Sequence, residues 1–175
     1  AATLGTGTVN SAFKATLSTS FAVAGSHGLT AAYAGDASNN ASTSAALTET
    51  VTAATTTVVL AADATSVAVA QPVVLTATVT GSNPAGTVTF KDGAATIGTG
   101  AVTGGAASLA TSFATAGSRS LTAVYSGDAN NGGSTSAAVL ETVGKRATTT
   151  TVVANPNPVG AAQPLTLTAT VAGTN

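Results

Sequence analysis

Three kinds of side chain here have the chemistry for a reactive or metal-binding centre: one histidine, six carboxylates and a large supply of hydroxyls. An imidazole can act as a general base or a metal ligand. His27 lies in Ala24-Gly25-Ser26-His27, and the same stretch recurs as Ala116-Gly117-Ser118-Arg119. Arginine has no basic form to offer, so the position reads as a surface loop residue rather than half of a catalytic pair. Asp36 and Asp128 each close a Tyr-x-Gly-Asp stretch followed by amide oxygens: Asp36, Asn39 and Asn40 in one loop, Asp128, Asn130 and Asn131 in the other. These could be calcium loops. Calcium takes about six to eight oxygens, usually with more than one carboxylate, and each loop offers one. The expectation is a metal-free Asx-type turn, the Asp side chain accepting from backbone N–H groups. Glu49 and Glu141 share one position, one per copy, so they cannot form an acid/base carboxylate pair within a domain. No serine sits in a nucleophile elbow and no second histidine exists. The sequence therefore predicts no catalytic residue, no cofactor and no enzyme.

The recurrence itself organises the chain. LTAAYAGDASNNASTSAALTETV, from Leu29 to Val51, matches LTAVYSGDANNGGSTSAAVLETV, from Leu121 to Val143, at 16 of 23 positions with an offset of 92. A fixed period marks a repeat architecture. The match extends both ways. Residues 1–7 (AATLGTG) align with residues 94–100 (AATIGTG), and Ser18-Thr19-Ser20-Phe21 aligns with Ala110-Thr111-Ser112-Phe113. Gln71-Pro72-Val73-Val74-Leu75-Thr76-Ala77-Thr78-Val79 returns as Gln163-Pro164-Leu165-Thr166-Leu167-Thr168-Ala169-Thr170-Val171. This divides the chain into the back part of one repeat (1–52), a complete repeat (53–143), and a short linker with the front part of another (144–175).

The complete repeat alternates with period 2, the pattern of half-buried strands. Seven are expected: Thr55–Ala61, Val73–Thr80, Thr87–Lys91, Ala95–Val102, Ala107–Phe113, Ser118–Tyr125 and Thr135–Val143. Ser82-Asn83-Pro84-Ala85-Gly86 is a turn, and Asp92-Gly93 a tight hairpin pair. Leu75, Ala77, Val79, Val88, Phe90, Leu109, Phe113, Leu121, Ala123 and Tyr125 should face inward, and Thr76, Thr78 and Thr80 outward. No stretch has helical spacing with caps. Seven short strands in about 90 residues is the size of an immunoglobulin-like antiparallel β-sandwich.

Gln-Pro-Val-Val-Leu-Thr-Ala-Thr-Val, Pro-Ala-Gly-Thr-Val-Thr-Phe-Lys-Asp-Gly and Leu-Thr-Ala-Val-Tyr-Ser-Gly-Asp together resemble the bacterial Ig-like repeat family, as does Asn155-Pro156-Asn157-Pro158 in the third copy. The resemblance implies tandem Ig-like sandwiches in a secreted or surface protein, serving as spacer, stalk or adhesive module. Tyr33 and Tyr125 resemble the tyrosine that anchors the sixth strand of such sandwiches through a hydroxyl-to-backbone hydrogen bond. The chain departs from the family in its many alanines and few charges.

Composition narrows the partners. Charged residues are 6% of the chain, net charge is −1 and aromatics are 3%. There is no basic patch for nucleic acid and no platform of rings for sugars or bases. No apolar run reaches the roughly 18 residues of a membrane helix. The chain has no cysteine, hence no disulfide framework or thiolate metal site. The 35 threonines suit outward strand faces. Asn40-Ala41-Ser42 is a glycosylation sequon by pattern. The junctions Glu49–Thr55 and Gly144-Lys145-Arg146 are short, which predicts a rod with Gly144 as its softer joint. Leu29 and Tyr33 at one end, and Leu165, Leu167 and Val171 at the other, belong to faces that neither partial repeat can bury alone. They should be completed by a neighbouring copy, head to tail, or by adjacent repeats of a longer chain. The expectation is an extracellular structural stalk or filament subunit; the other reading is an adhesin gripping a glycan or a host surface protein.

Overall fold

The structure, a computed structural model, describes residues 2–173; Ala1, Thr174 and Asn175, the outermost residues of the two partial repeats, lie outside the described residues. The first unit carries β1 (Gly25–Leu29), β2 (Ala32–Tyr33), β3 (Ser42–Thr43) and β4 (Leu47–Val51). The middle unit carries β5 (Thr57–Ala62), β6 (Ser66–Ala68), β7 (Pro72–Thr80), β8 (Thr87–Asp92), β9 (Ala95–Ala101), β10 (Ala106–Ser112), β11 (Gly117–Tyr125), β12 (Ser134–Thr135) and β13 (Val139–Gly144). The last unit carries β14 (Thr148–Asn155) and β15 (Thr166–Gly173). The described residues contain no helix.

In the middle unit one sheet runs β10-β7-β5 and the other β6-β13-β11-β8-β9, with β12 on β11. All pairings are antiparallel except β6 on β13. The chain passes between the sheets as in an immunoglobulin-like sandwich. The alternation decides which face is covered. Along β7, Val73, Leu75, Ala77 and Val79 are buried and Val74, Thr76, Thr78 and Thr80 are exposed. Val88 and Phe90 enter from β8, and Leu121, Ala123 and Tyr125 from β11. Phe113 closes the same cluster and Leu109 packs against it half-buried, so the expected inward set is the core. Val58, Leu60, Val73, Val102, Ala107 and Val143 enlarge it.

Several details differ from the sequence reading. The last strand is two strands, because the Ser136 hydroxyl accepts from the Ala123 N–H at 3.0 Å and donates to the Ala137 carbonyl at 2.8 Å, interrupting the ladder between β12 and β13. The three-residue β6 was not expected; it is too short for an alternation to register. The hairpin joins Asp92 to Ala95, so its loop residues are Gly93 and Ala94 rather than Asp92 and Gly93. Ile97 is an extra residue in β9, since Phe90 pairs with Gly98 and Lys91 with Thr96, a bulge. Gly144 is not a loose joint: it pairs with Ala68, and its carbonyl accepts from the Val69 N–H at 2.9 Å. Arg146 Nε then donates to the Val69 carbonyl at 2.7 Å.

The flanking units repeat parts of this plan. The pairing of β1 with β4 corresponds, 92 residues earlier, to β11 with β13, and β2 with β3 to β11 with β12. The pairing of β14 with β15 corresponds to β5 with β7. Among the described residues no ladder joins either flanking unit to the middle sheets.

The packing sets a test. Phe90→Ala should cost about 3–5 kcal/mol in denaturant unfolding of the middle unit, as a large buried ring leaves a cavity. Thr76→Ala, on the outward face of β7, should change stability by no more than about 0.5 kcal/mol. Equal costs would mean that the two faces are exchanged.

Candidate functional site at the repeat junction

The Tyr-x-Gly-Asp loops are built the same way in both copies. Gly127 takes φ +81° and Gly35 φ +86°, a left-handed turn that side chains resist. A Cβ on Gly127 would also meet the Asn131 carbonyl oxygen at 2.7 Å, and one on Gly35 that of Asn39 at 2.7 Å. The turn folds the aspartate back under the loop. Asp128 Oδ1 accepts from the Asn130 N–H at 2.8 Å and the Asn131 N–H at 2.9 Å. Its Oδ2 accepts from the Tyr125 hydroxyl at 2.9 Å and from the Ala85 N–H at 2.8 Å. Asn131 Nδ2 donates to both carboxylate oxygens, at 2.9 and 3.0 Å. In the first copy Asp36 accepts from the Ser38 N–H at 2.7 Å, the Tyr33 hydroxyl at 2.6 Å and Asn39 Nδ2 at 2.9 and 3.0 Å. The tyrosine hydroxyls thus donate to a carboxylate three residues on, not to backbone as the resemblance implied.

This geometry shapes the electrostatics. The donors stabilise the carboxylate form, so Asp128 is held well below the usual range, first by the Ala85 N–H and then by that of Asn130. Asp36 is lowered to about 2, first by the Tyr33 hydroxyl. Tyr125 is pushed up by burial and by its bond to Asp128; Tyr33 is pushed up first by its bond to Asp36. Each lone-pair direction of Asp128 meets a donor, so a cation would have to displace backbone N–H groups. Among the described residues no three His, Cys, Asp or Glu side chains gather closely enough to hold a metal.

The loop binds other parts of the molecule instead. Asn131 is buried; its Oδ1 accepts from the Ser82 N–H at 2.8 Å and its Nδ2 donates to the Ser82 carbonyl at 2.9 Å, locking the β7–β8 loop. Asn130 faces the first unit. Its Oδ1 accepts from the Ala24 N–H and its Nδ2 donates to the Ala22 carbonyl, both at 2.9 Å. The Asn130 carbonyl accepts from the Ala54 N–H at 2.8 Å, and the Gly132 N–H donates to the Ala54 carbonyl at 2.9 Å. The asparagines considered as calcium ligands are therefore the pins of the junction. Sequence reading missed this; the visible signal was that Asn39 aligns with Asn131, whereas Asn130 aligns with Ser38 and so has a separate role.

A second polar set lies inside the sandwich. Arg119 Nη1 pairs with Asp92 at 3.1 Å, Nη2 donates to the Thr115 carbonyl at 2.9 Å, and the guanidinium lies 5.2 Å from the Phe113 ring centre. His27 fills the corresponding place: its ring stacks on Phe21 at 4.4 Å, and Nε2 lies 3.0 Å from the Val23 carbonyl. Opposite these residues in register stand Glu49 across from His27 and Glu141 across from Arg119. Glu141 is 0% exposed and neither carboxylate oxygen has a hydrogen-bond partner. Burial pushes its carboxyl up, and Asp63 adds to the shift. Its inward parity with Val139 and Val143 was legible in the sequence. No hydroxyl, imidazole and carboxylate converge for nucleophilic chemistry, and His27 and Glu49 stand alone on one open sheet.

Residues 60–144 match the family model of the bacterial Ig-like domain (group 3). No curated protein matches the chain. No described helix is long and apolar enough to cross a membrane.

Two tests follow from these groups. Asp128→Ala should lower the melting temperature of the middle unit, and a chelator should leave the wild-type melt unchanged. Because the folded carboxyl lies below its unfolded value, the wild-type advantage is present above the ordinary carboxylate range and is lost as pH falls toward the depressed value. Glu141 has the opposite sign. Its raised folded value favours the neutral acid, so stability declines as pH rises from the ordinary carboxyl range through the folded one. Glu141→Gln should be more stable than wild type at pH near 7 and equal to it in acid; destabilisation at every pH would mean that Glu141 has a charged partner.

Proposed function

Since the middle unit belongs to the bacterial Ig-like domain family, we propose that the chain is a length of an extracellular bacterial stalk made of tandem Ig-like units, with no catalytic role, whose partial units are completed by strands from a neighbouring repeat. One observation carries this reading: positions that form the core of the middle unit stand open in the flanking ones. Leu75 is 0% and Val79 3% exposed, while Leu167 and Val171, 92 residues on, are 63% and 65% exposed. Leu29 and Tyr33 are half-buried where Leu121 and Tyr125 are buried. These faces are the same material without their cover. The low charge supports close packing of units, since little ionic repulsion holds them apart. The bonds from Asn130 to the first unit, and the Arg146 and Gly144 bonds to Val69, suit a stalk whose joints are held rather than free.

A second reading, an adhesive module for a glycan or surface protein, draws on Phe13. It is 89% exposed with φ +57° on a turn organised by Asn10, whose Oδ1 accepts from the Ala12 and Lys14 N–H groups at 3.0 Å each. Glycan-array binding that is lost in Phe13→Ala would favour it over the stalk.

The stalk reading is tested by extending the chain. Asn175 aligns with Asn83, so a copy of residues 84–143 appended after Asn175 continues the third repeat in phase. Amides of residues 166–173 should then become as protected from hydrogen exchange as those of residues 72–80. Unchanged exchange at 166–173 would reject completion by a neighbouring repeat.

A further inference from the structure

Resting on that reading, we propose that residues 14–20 of one molecule add as an antiparallel strand to the free edge of β15 in a second copy of this chain, with Leu17 opposite Leu167. The middle unit is the template. There β10 lies on β7 with Ala106 opposite Thr78, Ser108 opposite Thr76, Leu109 opposite Leu75 and Ser112 opposite Pro72. Shifting β10 back by 92 residues and β7 forward by 92 gives Lys14 opposite Thr170, Thr16 opposite Thr168, Leu17 opposite Leu167 and Ser20 opposite Pro164.

Both halves of this pairing are present and unpartnered in the chain. β15 is paired on one edge by β14, as β7 is by β5, and among the described residues its other edge has no strand. Residues 14–20 join no ladder. Yet they already hold the place that β10 holds. A Cβ on Gly98 would meet Leu109 Cδ1 at 2.7 Å, and one on Gly5 would meet Leu17 Cδ1 at 2.8 Å. A Cβ on Gly100 would meet the Ser108 carbonyl oxygen at 2.8 Å, and one on Gly7 the Thr16 carbonyl oxygen at 2.8 Å. Thus the segment lies across the residues preceding it as β10 lies across β9, and lacks only its sheet neighbour. Leu17 is 48% exposed for want of that neighbour.

The chemistry of the faces agrees with this register. Ala15, Leu17 and Thr19 would share the covered side with Leu165, Leu167 and Ala169, and Thr16 and Ser18 the outer side with Thr166 and Thr168. A slip of one residue would turn Leu17 to solvent. Lys14 is the one charge on either strand, so nothing repels the approach. The pairing makes the three-stranded sheet whole. The facing sheet still lacks the strand equivalent to β8, with its Val88 and Phe90, so the composite is held less firmly than the middle unit. Because the two contact surfaces lie on different ends of one chain, the contact is heterologous and propagates head to tail.

The chain has no cysteine, which makes cross-linking a clean readout. Thr16→Cys and Thr168→Cys, placed on separate molecules, mixed and mildly oxidised, should form a disulfide-linked heterodimer. Thr16→Cys mixed with Thr170→Cys, on the same outer side but out of register, should not. A single chain carrying both Thr16→Cys and Thr168→Cys should give a ladder of oligomers. Equal linkage in both mixtures would overturn the register, and a closed monomer in place of the ladder would overturn the second copy as partner. No linkage in either mixture, with protection gained in the extended chain, would leave the stalk reading standing and reject self-association.

Discussion

Val73, Leu75, Ala77 and Val79 stand on one side of β7 and are shielded from water because a second sheet brings Val88, Phe90, Leu121, Ala123 and Tyr125 over them. A strand with period 2 offers one apolar face, and that face has to be covered by another sheet. In the middle unit both sheets are present, so every inward side chain on β7 disappears from the surface. In the flanking units the same sequence pattern yields hairpins with nothing over them. The difference between a core and an open face here is a matter of which strands are at hand, not of residue type.

Much of the middle unit was legible for that reason. Alternation identified β7, β8, β10 and β11 and the inward side of each, because covering one face fixes register. What escaped had a local cause. β6 is three residues of Ser, Val and Ala held by parallel pairing to β13, and no periodicity fits in three residues. The break between β12 and β13 depends on one hydroxyl, Ser136, doing the work of a backbone group. Gly144 suggested a joint by its identity, and its pairing to Ala68 decided otherwise.

The polar sites divide the same way. That Asp36 and Asp128 close tight turns follows from the Tyr-x-Gly-Asp pattern and the shortage of carboxylates around them. That the turn also holds the neighbouring β7–β8 loop and the preceding unit depends on Asn131 and Asn130 reaching residues far away in sequence, at Ser82 and at Ala22 and Ala24. Glu141 adds a cost. It occupies an inward position that the fold would fill more favourably with an apolar side chain, and its counterpart Glu49 is exposed only because the first unit is open. Closing that unit would carry a second carboxylate into a core.

The account turns on whether the open faces of the flanking units are binding surfaces. Amide hydrogen exchange of the unmodified chain, followed over a range of protein concentrations, measures this directly. The account predicts that residues 72–80 are protected at every concentration, while residues 166–173 and 14–20 exchange fast in dilute solution and gain protection together as the chain is concentrated. Exchange at 166–173 that stays fast at all concentrations, or protection there without any change at 14–20, would contradict it.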